Sequence, residues 1–246
     1  MKMKEEIYTI PVNEVFSEEC FCPFCKLYDR LEKEEIRYAV GPAMMEPDYR
    51  KITNEKGFCK KHIKEVNALP KALALSLILE SHFKKVKEAL YKDFKPKKKL
   101  FKKDSNKIDE FIFDIAAFNH DCAICSKVER HFLRYIDTFI FMVKKDEEFL
   151  DKVSNGDGFC MPHYESVLYA ARKKLSEKEF VRIIDKINKA QFKKFEKYEK
   201  DISEFIKSFD YNNAGKKEEA PKDTVLKSSY FLNGEFEKAT KKLEDV

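Results

Sequence analysis

The chain has 246 residues, with 49 lysines and arginines against 44 aspartates and glutamates, which gives a formal net charge of +5. Hydrophobic residues make up 43% of the sequence, enough to fill a core, so intrinsic disorder is excluded for most of the chain. Only 6 glycines and 8 prolines accompany 38% charged residues. This composition favours long solvated helices over a turn-rich all-β fold, and we expect an all-α protein.

The hydrophobic segments predict neither a secretory signal nor a membrane span. The N-terminal sequence MKMKEEIYTIPVNEVF places acidic residues directly after its lysines and has no long apolar stretch. The most apolar runs, 72–79 and 132–143, are shorter than the roughly 18 residues that a spanning helix needs. We therefore expect a cytoplasmic protein, whose seven cysteines favour a metal or redox role over disulfide bonds.

A pattern of cysteine and histidine residues occurs twice along the chain. Each copy contains a CxxC pair and, more than thirty residues later, a GFCxxH pair. The eight residues are Cys22, Cys25, Cys59 and His62 in the first copy and Cys122, Cys125, Cys160 and His163 in the second. The copies are offset by 100 residues at the CxxC pair and by 101 at the GFCxxH pair (22 to 122, 59 to 160). This register indicates a tandem duplication.

In the first copy, glycine and proline mark the ends of the predicted helices. A helix over 22–38 carries the CxxC pair on its first turn and ends before Gly41. After a loop come a short helical stretch up to Gly57, a helix from about Phe58 and a helix over 70–91. We take residues 1–91 as the first repeat.

A basic linker, 92–105, joins the copies. Residues 92–104 carry seven lysines and two aspartates, a net charge of 7 − 2 = +5 that equals the surplus of the whole chain. With Phe94 and Phe101 among the lysines, the linker has the composition of a nucleic-acid contact. A lysine run between domains is more often simply solvated, and we prefer that interpretation.

The second repeat, 106–210, is expected to end in one long helix. Helices are predicted at 107–119, 122–145 and 159–174, and the last helix runs from a capping box at Ser176 to Phe209. Its apolar residues have heptad spacing. This heptad seam consists of Phe195, Tyr198, Ile202, Phe205 and Phe209. Packing within the chain is the preferred interpretation, and a protein partner or self-association is the alternative.

The remaining segment, 211–246, is polar at first. Its later part, 224–243, has the pattern of a docking helix interrupted at Asn233 and Gly234.

Three cysteines and one histidine form a common ligand set for closed tetrahedral zinc sites. The two members of each pair are three residues apart, so both project from one face of a helical turn. We expect two zinc ions, each bound within one copy; exchange of ligands between the copies is the alternative for the grouping. An iron–sulfur cluster is the alternative cofactor.

Four other residues have side chains that can bind metal. Cys20 and His120 each stand two residues before a CxxC pair and offer an extra donor, although packing roles are preferred for both. His82 and His131 have no counterpart in the other copy, and we expect ordinary boundary histidines there.

The motifs together resemble an uncharacterised bacterial family, a domain of unknown function. The resemblance covers most of the chain and is carried by YTIPVNEVF, CPFC, GPAMMEPDYR, GFCKKH, ALALSLILE, CAIC and GFCMPH. It implies a cytoplasmic, helical, metal-binding protein and gives no activity. We predict a zinc-binding helical module for binding or scaffolding, without assigned catalytic residues. The alternatives are a metal-dependent or iron–sulfur redox enzyme and a nucleic-acid-binding zinc protein.

Overall fold

A computed structural model describes residues 2–93, 105–209 and 223–234. Within these ranges all regular structure is helical, which confirms the all-α prediction. The α-helices are α1 (Lys2–Val15), α2 (Pro23–Ala39), α3 (Pro47–Lys56), α4 (Lys60–Asn67), α5 (Ala72–Asp93), α6 (Ser105–His120), α7 (Ala123–Lys145), α8 (Glu147–Asn155), α9 (Met161–Lys174), α10 (Glu177–Lys207) and α11 (Thr224–Asn233). A short 3-10 helix, Pro42–Met45, precedes α3.

Most helix ends lie within about two residues of the predicted positions. The Ser176–Glu179 capping box is present at the start of α10, where each side chain bonds to the backbone N–H of the other residue. The docking helix is α11, and it ends at Gly234. Residues 94–104 of the basic linker and 235–246 of the tail lie outside the described residues.

Two helices, α1 and α8, were not predicted. The sequence does contain signals for the start of α8. The N-cap residue Asp146 accepts a hydrogen bond from the N–H of Phe149 at 3.0 Å, and the negative charges of Glu147 and Glu148 in the first turn stabilise the helix through its dipole. Helix α8 also corresponds, about one hundred residues later, to the predicted helix α3 of the first copy. Helix α1 contains Pro11, a residue that argues against a helix interior.

The chain packs as two compact units that do not follow the order of the copies. The first unit comprises Met1–Asp29 and Phe132–Val246, and the second comprises Arg30–His131. The divisions fall inside α2 and α7, so each unit contains parts of both copies. The repeat boundaries drawn from the sequence describe the duplication and stay a prediction.

An aromatic core holds the first unit together. The ring of Phe24 on α2 lies 5.2 Å from Phe139 on α7 and 5.3 Å from Phe159 before α9, measured between centroids. Phe16 stacks on Phe139 at 5.1 Å and meets Phe149 of α8 edge to face. Such pairs are worth about 0.5–1.5 kcal/mol each beyond their buried area. The core therefore places the start of α2 beside the start of α9.

In the second unit, α3 packs along α5 and meets α2 and α7 through a polar cluster. The hydroxyl of Tyr49 donates to the carboxylate of Glu35 at 2.8 Å. The ammonium of Lys127 lies over the rings of Tyr38 and Tyr49, 4.2 and 4.6 Å from their centroids. Burial raises the pKa of Glu35, and its bond from Tyr49 and the charge of Lys127 oppose the rise. These contacts fix the first turns of α7 relative to α2.

Helix α11 docks on the long helix α10. Phe231 of α11 is buried between Phe195 and Tyr198 of α10, with centroid distances of 4.7 and 5.2 Å. The first part of the heptad seam is thus covered by the chain's own α11. Among the described helices, none has the length and hydropathy needed to cross a membrane.

Candidate metal centres

Two clusters of cysteine and histidine side chains lie inside the two units. The first cluster, in the first unit, consists of Cys22, Cys25, Cys160 and His163. The second cluster, in the second unit, consists of Cys59, His62, Cys122 and Cys125. Within each cluster the donor atoms lie within 4.8 Å of one another, so each group could hold a metal ion.

Each cluster combines the CxxC pair of one copy with the GFCxxH pair of the other. The prediction that four donors from one copy share an ion is therefore wrong, and the alternative, exchange between the copies, describes the structure. The physical reason is tertiary: the start of α2 lies beside the start of α9 in the first unit, and α4 begins beside α7 in the second.

The distances in the first cluster fit a tetrahedral ion. The sulfurs of Cys25 and Cys160 are 3.6 Å apart, and Nδ1 of His163 lies 3.5, 3.4 and 3.1 Å from the sulfurs of Cys22, Cys25 and Cys160. Zinc bonds of about 2.3 Å to sulfur and about 2.0 Å to nitrogen give tetrahedral edges of about 3.8 Å between two sulfurs and about 3.5 Å between sulfur and nitrogen. The donors stand close to these separations.

The second cluster repeats this geometry. The sulfurs of Cys59 and Cys125 are 3.8 Å apart. Nδ1 of His62 lies 3.3 Å from the sulfurs of Cys59, Cys122 and Cys125. In both clusters the histidine presents Nδ1, so its Nε2 points away from the sulfurs. Each cluster thus offers four protein donors, the number that a closed tetrahedral site requires.

All four pairs stand at helix starts. Cys22 and Cys122 immediately precede α2 and α7, while Cys59 and Cys160 are the N-cap residues of α4 and α9. The amides of a first helical turn have no helical partner, and the helix dipole is positive there. Both effects favour thiolate, the form that binds metal. The N–H of Cys125, for example, donates to the sulfur of Cys122 at 3.5 Å.

The glycine of each GFCxxH pair is needed for the turn into the helix. Gly57 and Gly158 have φ of 58° and 70°, values that side chains on L-residues rarely adopt. A Cβ on Gly57 would lie 2.5 Å from Nε2 of His82, and one on Gly158 would lie 3.0 Å from Oε1 of Gln191. His82 and Gln191 thus occupy the space that a larger residue would require.

The two GFC segments are fixed by different hydrogen bonds. In the second unit, the N–H of Ala123 donates to the carbonyl of Gly57 at 2.9 Å. The equivalent position in the first copy is Pro23, which has no N–H to donate. In the first unit the buried side chain of Gln191 instead brackets Phe159, accepting from its N–H at 2.9 Å and donating to its carbonyl at 3.1 Å.

In each cluster, contacts between the sulfurs and the imidazole lower the pKa of one cysteine and raise the pKa of the histidine. Burial is the largest single influence on the pKa of Cys122 and would raise it, but the hydrogen bonds from His62 and from the backbone of Cys125 and Cys59 together lower that pKa to about 6. Burial likewise opposes protonation of His62, yet its bonds to Cys122 and Glu32 raise its pKa to about 10. Burial and the neighbouring sulfur of Cys122 raise the pKa of Cys125.

The pKa values in the first cluster shift in the same directions. Against the effect of burial, bonds from the other sulfurs and His163 hold the pKa of Cys22 well below its usual range, and the pKa of His163 is raised to about 10. The bond to Cys160, that to Cys22 and burial raise the pKa of Cys25.

The surroundings of the two histidines differ. Nε2 of His62 donates to the buried carboxylate of Glu32 at 3.1 Å, and Glu32 also pairs with Lys61. Glu65 lies close enough to join Glu32 and His62 in a third group of metal-competent side chains, which shares its histidine with the second cluster. One hundred residues after Glu32, the corresponding residue is Phe132, whose ring lies 5.1 Å from that of His163.

A second difference concerns solvent access. Cys160 is fully buried, whereas Cys59, its counterpart in the second cluster, is half-buried. The end of α11 lies beside Cys160, since a Cβ on Gly234 would be 3.7 Å from its sulfur. Lys194 is also buried near the first cluster, where its ammonium donates to the carbonyl of Phe21, next to Cys22.

Comparison with known proteins identifies the family but no activity. The family model described as "Family of unknown function (DUF6062)" matches residues 3–239. The chain belongs to this family. No curated protein and no solved structure matches the chain. The expected resemblance to an uncharacterised family is confirmed, and any function has to be argued from the two clusters.

Two of the other metal-competent residues, Cys20 and His82, lie apart from the four-donor groups. Cys20 is half-buried and lines a cleft beside α10 instead of joining the first cluster. The side chain of His120 lies outside the described residues. The ring of His82 contacts the carbonyl of Asn54 through Nδ1 at 2.8 Å, and this contact explains its position. Sequence reasoning missed Glu32, Gln191 and Lys194, which carry no motif of their own.

Proposed function

We propose that each cluster binds one zinc ion and that the two ions are structural clasps in a helical binding or scaffold module. The observation that carries this proposal is the composition of the clusters: three sulfurs and one imidazole nitrogen at tetrahedral separations, contributed by both copies of the duplicated sequence. A closed shell of this kind leaves no coordination position for a substrate. Structural zinc of this type contributes on the order of 10 kcal/mol to the folding of small domains.

The charge near the first cluster is compatible with a bound zinc ion. Three thiolates, a neutral imidazole and Zn²⁺ leave a net charge of about −1. Lys194 is a cation close to the first cluster, whereas the charge of Lys61 beside the second cluster is balanced by the Glu32 carboxylate that faces His62. Buried charge is tolerated when such partners are present.

Anaerobic purification followed by elemental analysis and a visible spectrum tests the proposal. We expect a colourless protein with two zinc ions per chain. Iron together with brown absorbance would contradict it and favour the redox alternative. Cys160→Ala should lose one ion, whereas Cys20→Ala should keep both, because Cys20 is the cysteine that stands outside the two clusters.

The binding role is proposed from the end of α10. There the heptad seam continues beyond the region covered by α11, and Phe209 is 75% exposed. Phe205 contacts Phe209 with a centroid distance of 5.1 Å, so the two rings form one apolar surface. We propose a second copy of the chain as the occupant. Light scattering should show a dimer that Phe209→Ser converts to a monomer, and a monomeric native protein would contradict this.

A further inference from the structure

A cleft of about 420 Å³ lies beside the first cluster, within the first unit. One wall is α10, another is α11, and the segments around Phe21 and Gly156 complete it. Its volume falls in the range of about 300–1,000 Å³ that is typical of small-molecule sites.

Lysines dominate the charge of this cleft. They are Lys193, Lys194 and Lys197 from α10 and Lys227 from α11. Among the described residues that line the cleft, one acid, Asp157, opposes them, so the lining carries 4 − 1 = +3. Lys193 and Lys197 are four residues apart on α10, where two like charges destabilise a helix. An anion between them would remove that repulsion.

The four lysines have different partners. Lys194 is buried, and its ammonium donates to the carbonyl of Phe21 and lies 4.2 Å from the centroid of that ring. Its ammonium is therefore already bonded to the segment next to Cys22 of the first cluster. Lys227 pairs with Asp223 at 2.6 Å. Lys193 and Lys197 are exposed at the cleft and are available to a ligand.

We propose that this cleft binds a small phosphorylated anion, held chiefly by Lys193 and Lys197 of α10 and Lys227 of α11. Ammonium groups bind phosphate as point charges, and three of them around a cleft of this size suit one or two phosphate groups. Because the ligand would bridge α10 and α11, its binding would also hold α11 against the first cluster.

The pattern of charges favours a small anion over nucleic acid. A nucleic-acid site needs a basic stripe that follows several phosphates. On α10 the acidic residues Glu196 and Glu199 are interleaved with the lysines, and Asp157 stands at the wall of the cleft. The acidic residues therefore interrupt the positive charge along α10, which does not form a continuous basic stripe.

Calorimetric titration of the zinc-loaded full chain with inorganic pyrophosphate tests the proposal. The native protein should bind one pyrophosphate saturably. Exchange of Lys193, Lys197 and Lys227 for glutamine should weaken binding at least tenfold. The matched control exchanges three lysines of α10 outside the cleft, Lys178→Gln, Lys189→Gln and Lys200→Gln, and should bind as the native protein does.

Absence of saturable binding by the native protein at millimolar pyrophosphate would overturn the proposal, as would an equal loss in the control variant. A parallel titration with a single-stranded oligonucleotide distinguishes the other ligand class. Binding of the oligonucleotide alone would also overturn it, in favour of a nucleic-acid site. Zinc content measured before and after each titration shows whether the first cluster is intact, so a failure of the zinc proposal is seen separately.

Discussion

The carboxylate of Glu32 lies 3.1 Å from Nε2 of His62, and both side chains are buried. A carboxylate that accepts from a metal-binding histidine fixes the ring and makes its other nitrogen a stronger donor. The ring of His163 in the first cluster instead faces Phe132. The duplicated sequence has therefore produced two centres with the same four donor types and different support.

Removal of this support should loosen the second cluster alone. We expect Glu32→Ala to weaken zinc binding there by about 10–100-fold, the usual effect of losing such a partner. Release of zinc to a chromophoric chelator measures it, as two phases of which only one becomes faster. Glu34→Gln on the exposed face of α2 is the control and should leave both phases unchanged. Equal acceleration of both phases would mean that Glu32 acts on overall stability.

The cover over the first cluster gives a complementary prediction. Phe231→Ala removes the ring that packs against Phe195 and Tyr198, a loss of about 3–5 kcal/mol for a buried phenylalanine. Helix α11 should then detach, and zinc release from the first cluster should accelerate. Leu232→Ala, one residue later and 56% exposed, is the matched control. Unchanged release in Phe231→Ala would show that α11 does not limit access to Cys160.

The glycine turns predict a contrast between two positions only two residues apart. Gly158→Ala places a side chain at a φ of 70° and should lower the free energy of unfolding by about 1–2 kcal/mol. Gly156→Ala should be nearly neutral, because its φ is −79° and its new Cβ would meet other atoms no closer than 3.4 Å. Urea unfolding of the zinc-loaded proteins measures both. Equal losses would contradict the role assigned to the Gly158 turn.

Metal binding should depend on pH because the ligands must lose protons. At pH 7 the metal-free second cluster holds protons on His62, whose pKa is raised to about 10, and on Cys125, whose pKa is also raised. Cys122, with a pKa of about 6, is already a thiolate and releases none. Zinc affinity should therefore rise with pH between 6 and 8, with release of at least two protons per ion. Calorimetry in buffers of different ionisation enthalpy counts them, and a pH-independent affinity would contradict the assignment.

The sequence indicates which residues form the clusters because their constraint is local. Two ligand-type residues three positions apart at the start of a helix form one pair on the same face, and the duplication repeats each pair in register. Contacts between distant segments, such as the packing of Phe24 on Phe159, decide which CxxC pair lies beside which GFCxxH pair. The spacing of the motifs does not predict those contacts, so the sequence alone does not decide between grouping within a copy and exchange between the copies.

The differences between the two clusters can also be predicted from the sequence, by a closer comparison of the two copies. Alignment at the offset of one hundred residues pairs Glu32 with Phe132 and Pro23 with Ala123. These two residue differences account for much of the difference between the clusters. Lys194 and Gln191 have no such signal. They are polar residues on the buried face of α10, and their roles depend on where that helix packs.

The most direct test of the exchanged ligand sets is the zinc content of two matched quadruple variants. One exchanges Cys22, Cys25, Cys160 and His163 for alanine, which removes the first cluster; it should retain one zinc ion per chain. The other exchanges Cys22, Cys25, Cys59 and His62, which takes one pair from each cluster; it should retain none. Retention of one ion by the second variant and none by the first would show that each copy binds its own metal, and would contradict the account.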